Sequence, residues 1–214
     1  MTVPEEGFPD LIRFLRSDEN EYKRIYDTSA KIWDYTSTII GNRDFWQVSE
    51  RELRFLYTVT KIFRPGIVAE TGVGPGSTSY AYLSALGEYG GKLLSFDLGK
   101  RYGNEEKEEK IGFLVPEEMK KNWELIIGDS RNTLEKNLSR YGRIGIFMHD
   151  SNHTHEHVKF ELETAWKFMD KKFIMIVDNF DWTSAPQEFA NEHGLSLFRV
   201  SDDMCFLLMS HDHM

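Results

Sequence analysis

The sequence predicts a doubly wound α/β fold with a mostly parallel sheet, preceded by helices. Three observations carry this reading. From residue 67 onward short apolar runs alternate with helical patterns, a glycine-rich loop follows the first run, and acids stand at the ends of several runs. Strands alternating with helices imply crossover connections and a sheet covered on both faces.

The elements follow in order. Tyr22, Ile25, Tyr26, Ile32, Trp33, Ile39 and Ile40 recur at helical spacing and predict one helix over 22–40. Ser49 followed by Glu52 is a capping box that opens a second helix, stopped by Arg64-Pro65-Gly66. Strands are predicted over 67–70, 92–97, 123–127, 144–148 and 173–177, the last an unbroken apolar run suited to burial on both faces. Between them, helices are predicted over 77–86 and about 131–140, and a third through Val158, Leu162, Ala165, Trp166 and Met169. Residues 195–200 and 204–209 form a closing pair around Ser201-Asp202-Asp203. The segment 99–122 is the least regular, and a connection of that length in a compact domain is usually functional or mobile. Residues 1–65 are expected to be a helical extension packed on the core, and 66–214 the ligand-binding domain.

At 214 residues the chain is long enough for one domain with a sizeable core and short for two. Its net charge of −9 argues against nucleic acid as substrate, because phosphate-binding surfaces need clustered Lys and Arg. The run Glu105-Glu106-Lys107-Glu108-Glu109-Lys110 interleaves both signs and reads as a solvated surface. The one cysteine, Cys205, excludes an internal disulfide framework and suggests a reducing compartment. No apolar stretch approaches the roughly 20 residues that cross a bilayer. Nor do the first ten residues carry a signal pattern, so no membrane partner is expected and the cytoplasm is the expected location.

In such sheets ligands bind beyond the carboxyl ends of the strands. The first strand runs into Glu70-Thr71-Gly72-Val73-Gly74-Pro75-Gly76-Ser77, where glycines allow close backbone approach and the helix opening at Ser77 offers free N–H groups. A dinucleotide fingerprint counted from Gly72 would need glycine at Ser77, and its acid would precede Asp97. An adenosylmethionine loop fits Glu70, Gly72, Gly74 and Gly76 better. Glu70 is then expected to face the cationic amino acid end, Asp97 the ribose hydroxyls, and Asp129 of Gly128-Asp129-Ser130 the adenine amino group. Three such acids at three strand ends weigh more than the loop alone.

Glu70-Thr71-Gly72-Val73-Gly74-Pro75-Gly76, Ser95-Phe96-Asp97 and Gly128-Asp129-Ser130 resemble the cofactor motifs of class I adenosylmethionine-dependent methyltransferases, over residue 67 to the end. The resemblance implies a Rossmann-like sheet of seven strands with the last antiparallel. It departs after Asp97, where a charged segment replaces an obvious helix, so family detail is not carried onto 99–122.

Strand four ends in His149-Asp150-Ser151-Asn152-His153 and strand five in Asp178-Asn179, opening onto the same crevice. Asp150, Asp178 and Asn179 are oxygen ligands of the kind hard cations such as Mg²⁺ prefer. Polar strand ends also occur without metal, since loops must satisfy backbone groups. The pattern resembles metal-dependent O-methyltransferases of the catechol type, with an acid ending strand four and Asp-Asn ending strand five. The spacing of Asp150 and His153 resembles the sugar and macrolide O-methyltransferases, which implies His153 as general base. His149, His153, His155 and His157 lack a cysteine to complete a structural zinc site. His155 and His157 are expected to be solvated and His149 to be core. Trp182 either walls an acceptor pocket or anchors the next loop. The expectation is methyl transfer from adenosylmethionine to a small-molecule hydroxyl. A metal-independent N-methyltransferase, a NAD-dependent oxidoreductase, a binding protein without catalysis, and assembly into a homo-oligomer all stay open.

Overall fold

The computed structural model describes residues 4, 6–43, 45–99 and 110–209. The charged run over 105–109 lies outside the described residues. Four helices come first: α1 (Phe8–Leu15), α2 (Glu19–Thr28), α3 (Ala30–Ile40) and α4 (Glu50–Phe63). The α/β part follows as β1 (Ile67–Thr71), α5 (Ser77–Leu86), β2 (Lys92–Asp97), a 3-10 helix (Glu117–Asn122) and β3 (Trp123–Ile127). It continues with α6 (Ser130–Tyr141), β4 (Ile144–His149), α7 (His155–Trp166), β5 (Met169–Asp178), α8 (Ala185–His193), β6 (Leu195–Arg199) and β7 (Met204–Met209).

The seven strands form one sheet in the order β3-β2-β1-β4-β5-β7-β6. β1 to β5 pair in parallel, and β7 runs antiparallel to both β5 and β6. The strand order reverses between β1 and β4, which leaves a crevice above their carboxyl ends. Side chains alternate across the sheet with period two. Ile174 and Ile176 join Leu53, Leu56, Leu83 and the apolar residues of α1 and α2 on one face. Phe173, Met175 and Val177 join Leu138, Leu162 and Phe189 on the other.

The predicted helix over 22–40 is two helices. At Ser29 the backbone N–H and the hydroxyl both turn to the Tyr26 carbonyl, which also accepts from Arg54 at 2.9 Å. A side chain competing for a helix carbonyl breaks the ladder there. The Ser49–Glu52 capping box is present in both directions. Met169 belongs to β5, where it pairs with Ile144, and not to the helix before it. α1 and α8 carry no strong sequence signal, and each starts with a proline in its first turn. Of the irregular segment, residues 110–116 dock on the glycine loop through Gly112 N–H to Gly74 O and Leu114 N–H to Pro75 O. Among the described residues no helix is long and apolar enough to cross a membrane.

Candidate active site

A cleft of about 1130 Å³ opens above the carboxyl ends of the strands. Gly72, Gly74, Ser77, Asp97, Asp129, Ser130, Asp150, His153, Asp178 and Asn179 all line it. Two expected residues, Glu70 and Gly76, are not part of the lining.

Glycine is required at two of these positions. Gly72 has φ +80°, and a Cβ there would lie 1.7 Å from the Asp150 carbonyl oxygen. The loop after β1 thus rests directly on the loop after β4, tied by Asp150 N–H to Thr71 O at 2.9 Å. Gly76 has φ +92°, and a Cβ would lie 2.9 Å from Gly112 Cα, so this glycine serves the docking of residues 110–116.

The acids at the first three strand ends sit differently from one another. Glu70 is fully buried beneath the loop, away from the place expected for it at a ligand's amino acid end. It accepts hydrogen bonds from Thr78 and Ser95 at 2.9 and 2.7 Å, and from Ser79. Burial pushes its pKa up to about 7, which these hydroxyls oppose only in part. Asp97 Oδ2 accepts from Val73 N–H at 3.0 Å, and Oδ1 from Gly99 N–H at 2.8 Å. Asp129 caps α6 by accepting from Arg131 N–H at 2.8 Å.

At the ends of β4 and β5 the polar groups are less satisfied. Asp150, His153 and Asp178 each bring a donor atom within 4.8 Å of the other two. His153 Nε2 stands 3.8 Å from Asp150 Oδ1, and its Nδ1 is buried without a hydrogen-bond partner. Burial pushes Asp178 up to about 7, aided by the charge of Glu52. Asp150 is raised well above the carboxylate range by burial and by the charge of Asp178. Two crowded carboxyls that resist joint ionisation, beside an orphaned imidazole nitrogen, suit a divalent cation with hard oxygen donors. Asn179, in the left-handed region at φ +48°, faces the same cleft. Desolvation, with His149 nearby, lowers His153 to about 4. The Trp182 ring meets His153 at 5.3 Å and is 65% exposed on the cleft wall.

The sequence reading missed a buried cluster on this wall. His157 is not solvated, since it and His149 both bond to the fully buried Glu161. The signal was available, because His157 and Glu161 are four apart on one helix face. His155 is exposed and turns to Glu188 at 3.0 Å. The four histidines therefore do not converge. Glu52, read only as a cap, also lines the cleft and accepts from the Ser201 hydroxyl.

A family model described as a methyltransferase domain matches residues 69–180. No match to this sequence was found among curated proteins. Among solved structures, a methyltransferase from Geobacter sulfurreducens has TM-score 0.63 and 16% identity, over 84% of this chain and 90% of that one. An O-methyltransferase from Bacillus cereus in complex with SAH has TM-score 0.56 and 12% identity, over 94% and 96%. MycE, from the mycinamycin biosynthetic pathway, in complex with Mg and SAH, has TM-score 0.51 and 15% identity, over 71% and 46%. At these identities the likeness is one of fold.

Proposed function

This chain belongs to the methyltransferase-domain family and is an adenosylmethionine-dependent methyltransferase, and on that premise we propose that it methylates a hydroxyl of a small molecule with help from a divalent cation. The observation that carries the reading is the convergence of Asp150, His153 and Asp178 on the wall of the cleft that the glycine loop also lines. The O-methyltransferase from Bacillus cereus and the Mg-bound MycE share the fold and are in keeping with it.

Adenosylmethionine supplies an electrophilic methyl group on a sulfonium. Asp97 and Asp129 shape the cofactor side, and Ser77, which opens α5 where a helix leaves its first backbone N–H groups unpaired, lines it as well. Asp150, Asp178 and Asn179 would hold the cation, which would lower the pKa of an acceptor hydroxyl and orient it. His153 is neutral at physiological pH because its pKa is held near 4. A neutral ring can take the hydroxyl proton on Nε2 or Nδ1, whichever carries no hydrogen, leaving the O–H electron pair on oxygen as the nucleophile. Trp182 forms an apolar wall beside the His153 ring.

The test is transfer of a radiolabelled methyl group from adenosylmethionine to a panel of catechols, sugars, nucleotide sugars and primary amines, with Mg²⁺ or with EDTA. Labelled ethers formed only with Mg²⁺ support the reading. Methylated amines formed at full rate in EDTA would replace it with metal-independent N-methylation.

A further inference from the structure

The acceptor side of the cleft holds more acid than a divalent cation would offset. Glu52 and Asp203 line it together with Asp150 and Asp178. Glu52 is 3% exposed and accepts from the Ser49 N–H at 2.6 Å, the Ser49 hydroxyl at 2.8 Å and the Ser201 hydroxyl. These donors are all neutral. Ser201 ties the second acid to the first, because its Oγ accepts from Asp203 N–H at 3.1 Å. Asp203 is fixed at the end of β5, where its carbonyl accepts from Phe180 N–H at 3.1 Å and the next residue, Met204, pairs with Asp178. Among the described residues Arg131 is the one Lys or Arg on the cleft wall. It belongs to the cofactor side, where its N–H caps onto Asp129.

The acids act on one another, since the charge of Glu52 adds to burial in raising both Asp178 and Asp203. A cation on Asp150, Asp178 and Asn179 would leave Glu52 and Asp203 without a counter-charge. A ligand carrying an anionic group would meet like charge there, which costs affinity and selects against it.

A second feature of this wall is independent of the acids. Trp46 is 87% and Trp182 65% exposed, although both line the cleft. Trp46 stands three residues before Ser49, the partner of Glu52, and Trp182 meets the His153 ring at 5.3 Å. The face of an indole attracts cations, and aromatic walls are a recurring means of holding ammonium groups.

We propose that the methyl acceptor carries an ammonium group besides its hydroxyl, recognised by Glu52, Asp203 and the two indoles, and that acceptors bearing a carboxylate or phosphate are turned away. The inference rests on the reading of this half of the cleft as the acceptor side and names the class of acceptor. The ammonium group is a handle that decides which molecule enters, and the hydroxyl remains the reacting group.

The experiment is calorimetric titration of the full chain saturated with adenosylhomocysteine and Mg²⁺, with two series of probes that differ in charge. One is dopamine, 4-methylcatechol and 3,4-dihydroxyphenylacetate, and the other glucosamine, glucose and glucuronate. In at least one series the amine is expected to bind tightest and the acid weakest, with a gap on the order of tenfold between them. Asp203→Asn is expected to narrow that gap from both ends. Asp170→Asn removes the same charge at the opposite end of β5 and is expected to leave the gap unchanged. Trp182→Leu keeps an apolar wall without the π face, and should weaken the amine about two- to fivefold more than the neutral probe. Neutral or acidic probes that bind as tightly as the amine in both series overturn the proposal, as does a lack of binding by either amine. A gap that survives Asp203→Asn, or an equal loss of amine and neutral probe in Trp182→Leu, overturns it too. Should Asp203→Asn not fold, the order of the probes on the parent chain decides. No readout uses turnover, so a failure of the metal-assisted reading, seen as methyl transfer at full rate in EDTA, is separately visible.

Discussion

The two halves of the cleft use acidic residues in opposite ways. In the half formed by β1, β2 and β3, each strand-end acid is already engaged by the protein: Glu70 by three hydroxyls, Asp97 by loop N–H groups, Asp129 by the start of α6. In the half formed by β4 and β5, Asp150 and Asp178 crowd each other, and the His153 ring beside them keeps a buried nitrogen without partner. An unsatisfied buried polar group costs stability, on the order of 1–3 kcal/mol. Chains keep such groups where function needs them. The first half is a rigid cradle, and the second is where chemistry is left undone. Substitutions of cleft-lining residues should therefore cost turnover in the second half, and stability together with cofactor affinity at Asp97 in the first.

The largest effect is expected for His153→Ala. Positioned proton transfer contributes about 10²–10⁴ in rate, so turnover should fall by that range while adenosylhomocysteine affinity barely changes. The group's pKa is lowered to about 4, so its protonation opposes folding: its contribution is full above about pH 6.5 and lost as pH falls through 4. The variant should thus gain stability relative to the parent on acidification below pH 6.5. Equal losses of turnover and cofactor affinity would erase the contrast between the halves.

Metal removal comes next. EDTA should abolish methyl transfer and Mg²⁺ restore it. Mg²⁺ at a hundred times its dissociation constant should stabilise the fold by about 2.7 kcal/mol. Because Asp178 is raised to about 7, protons compete for the site, and the Mg²⁺-induced rise in melting temperature should shrink from pH 8 to pH 6. A rise independent of pH would place the cation elsewhere.

Asp97→Ala sharpens the other side of the contrast. It strips the acceptor from Val73 and Gly99, and hydrogen bonds to charged groups are worth about 1.5–3 kcal/mol. Urea denaturation should report a loss near the lower figure, since Asp97 is part-exposed, and adenosylhomocysteine should bind more weakly. Weaker binding with unchanged stability would mean that Asp97 does not hold the loop.

Much of this was legible because strands and their ends follow local rules. The strands 92–97, 123–127 and 204–209 and the helix 77–86 match the structure residue for residue, and the polar strand ends do face one cleft. What was not legible is set by contacts across the chain. Nothing local to Glu70 says that Ser79 and Ser95 will enclose it. Nothing local to Gly72 says that the Asp150 carbonyl will press against it. The spacing of His157 and Glu161 on one helix was legible, but Thr71 and His149 join Glu161 only when β1, β4 and α7 come together.

The smallest effect is expected for Glu70→Gln, and its sign carries the information. Glu70 and Glu161 are both fully buried carboxyls, but Glu70 has only hydroxyl partners where Glu161 has two imidazoles. Hydroxyl donors do not offset the desolvation of the charge, so the folded pKa of Glu70 rises to about 7 from 4.5. A raised folded pKa means that the group's stabilisation is complete below pH 4.5 and is lost as pH climbs through 7. Glutamine cannot ionise, and a neutral carboxyl and an amide offer similar hydrogen bonding to Thr78, Ser79 and Ser95. At pH 5 the variant should lie within about 1 kcal/mol of the parent, inside the range of a single neutral hydrogen bond. From pH 5 to pH 8 the variant should gain on the parent, as chemical denaturation at several pH values would show. Adenosylhomocysteine affinity should stay unchanged, because Glu70 lies beneath the loop and does not line the cleft. If the variant instead loses ground as pH rises, Glu70 is an ionised group with a cationic partner, and the cofactor half is not the finished cradle described above.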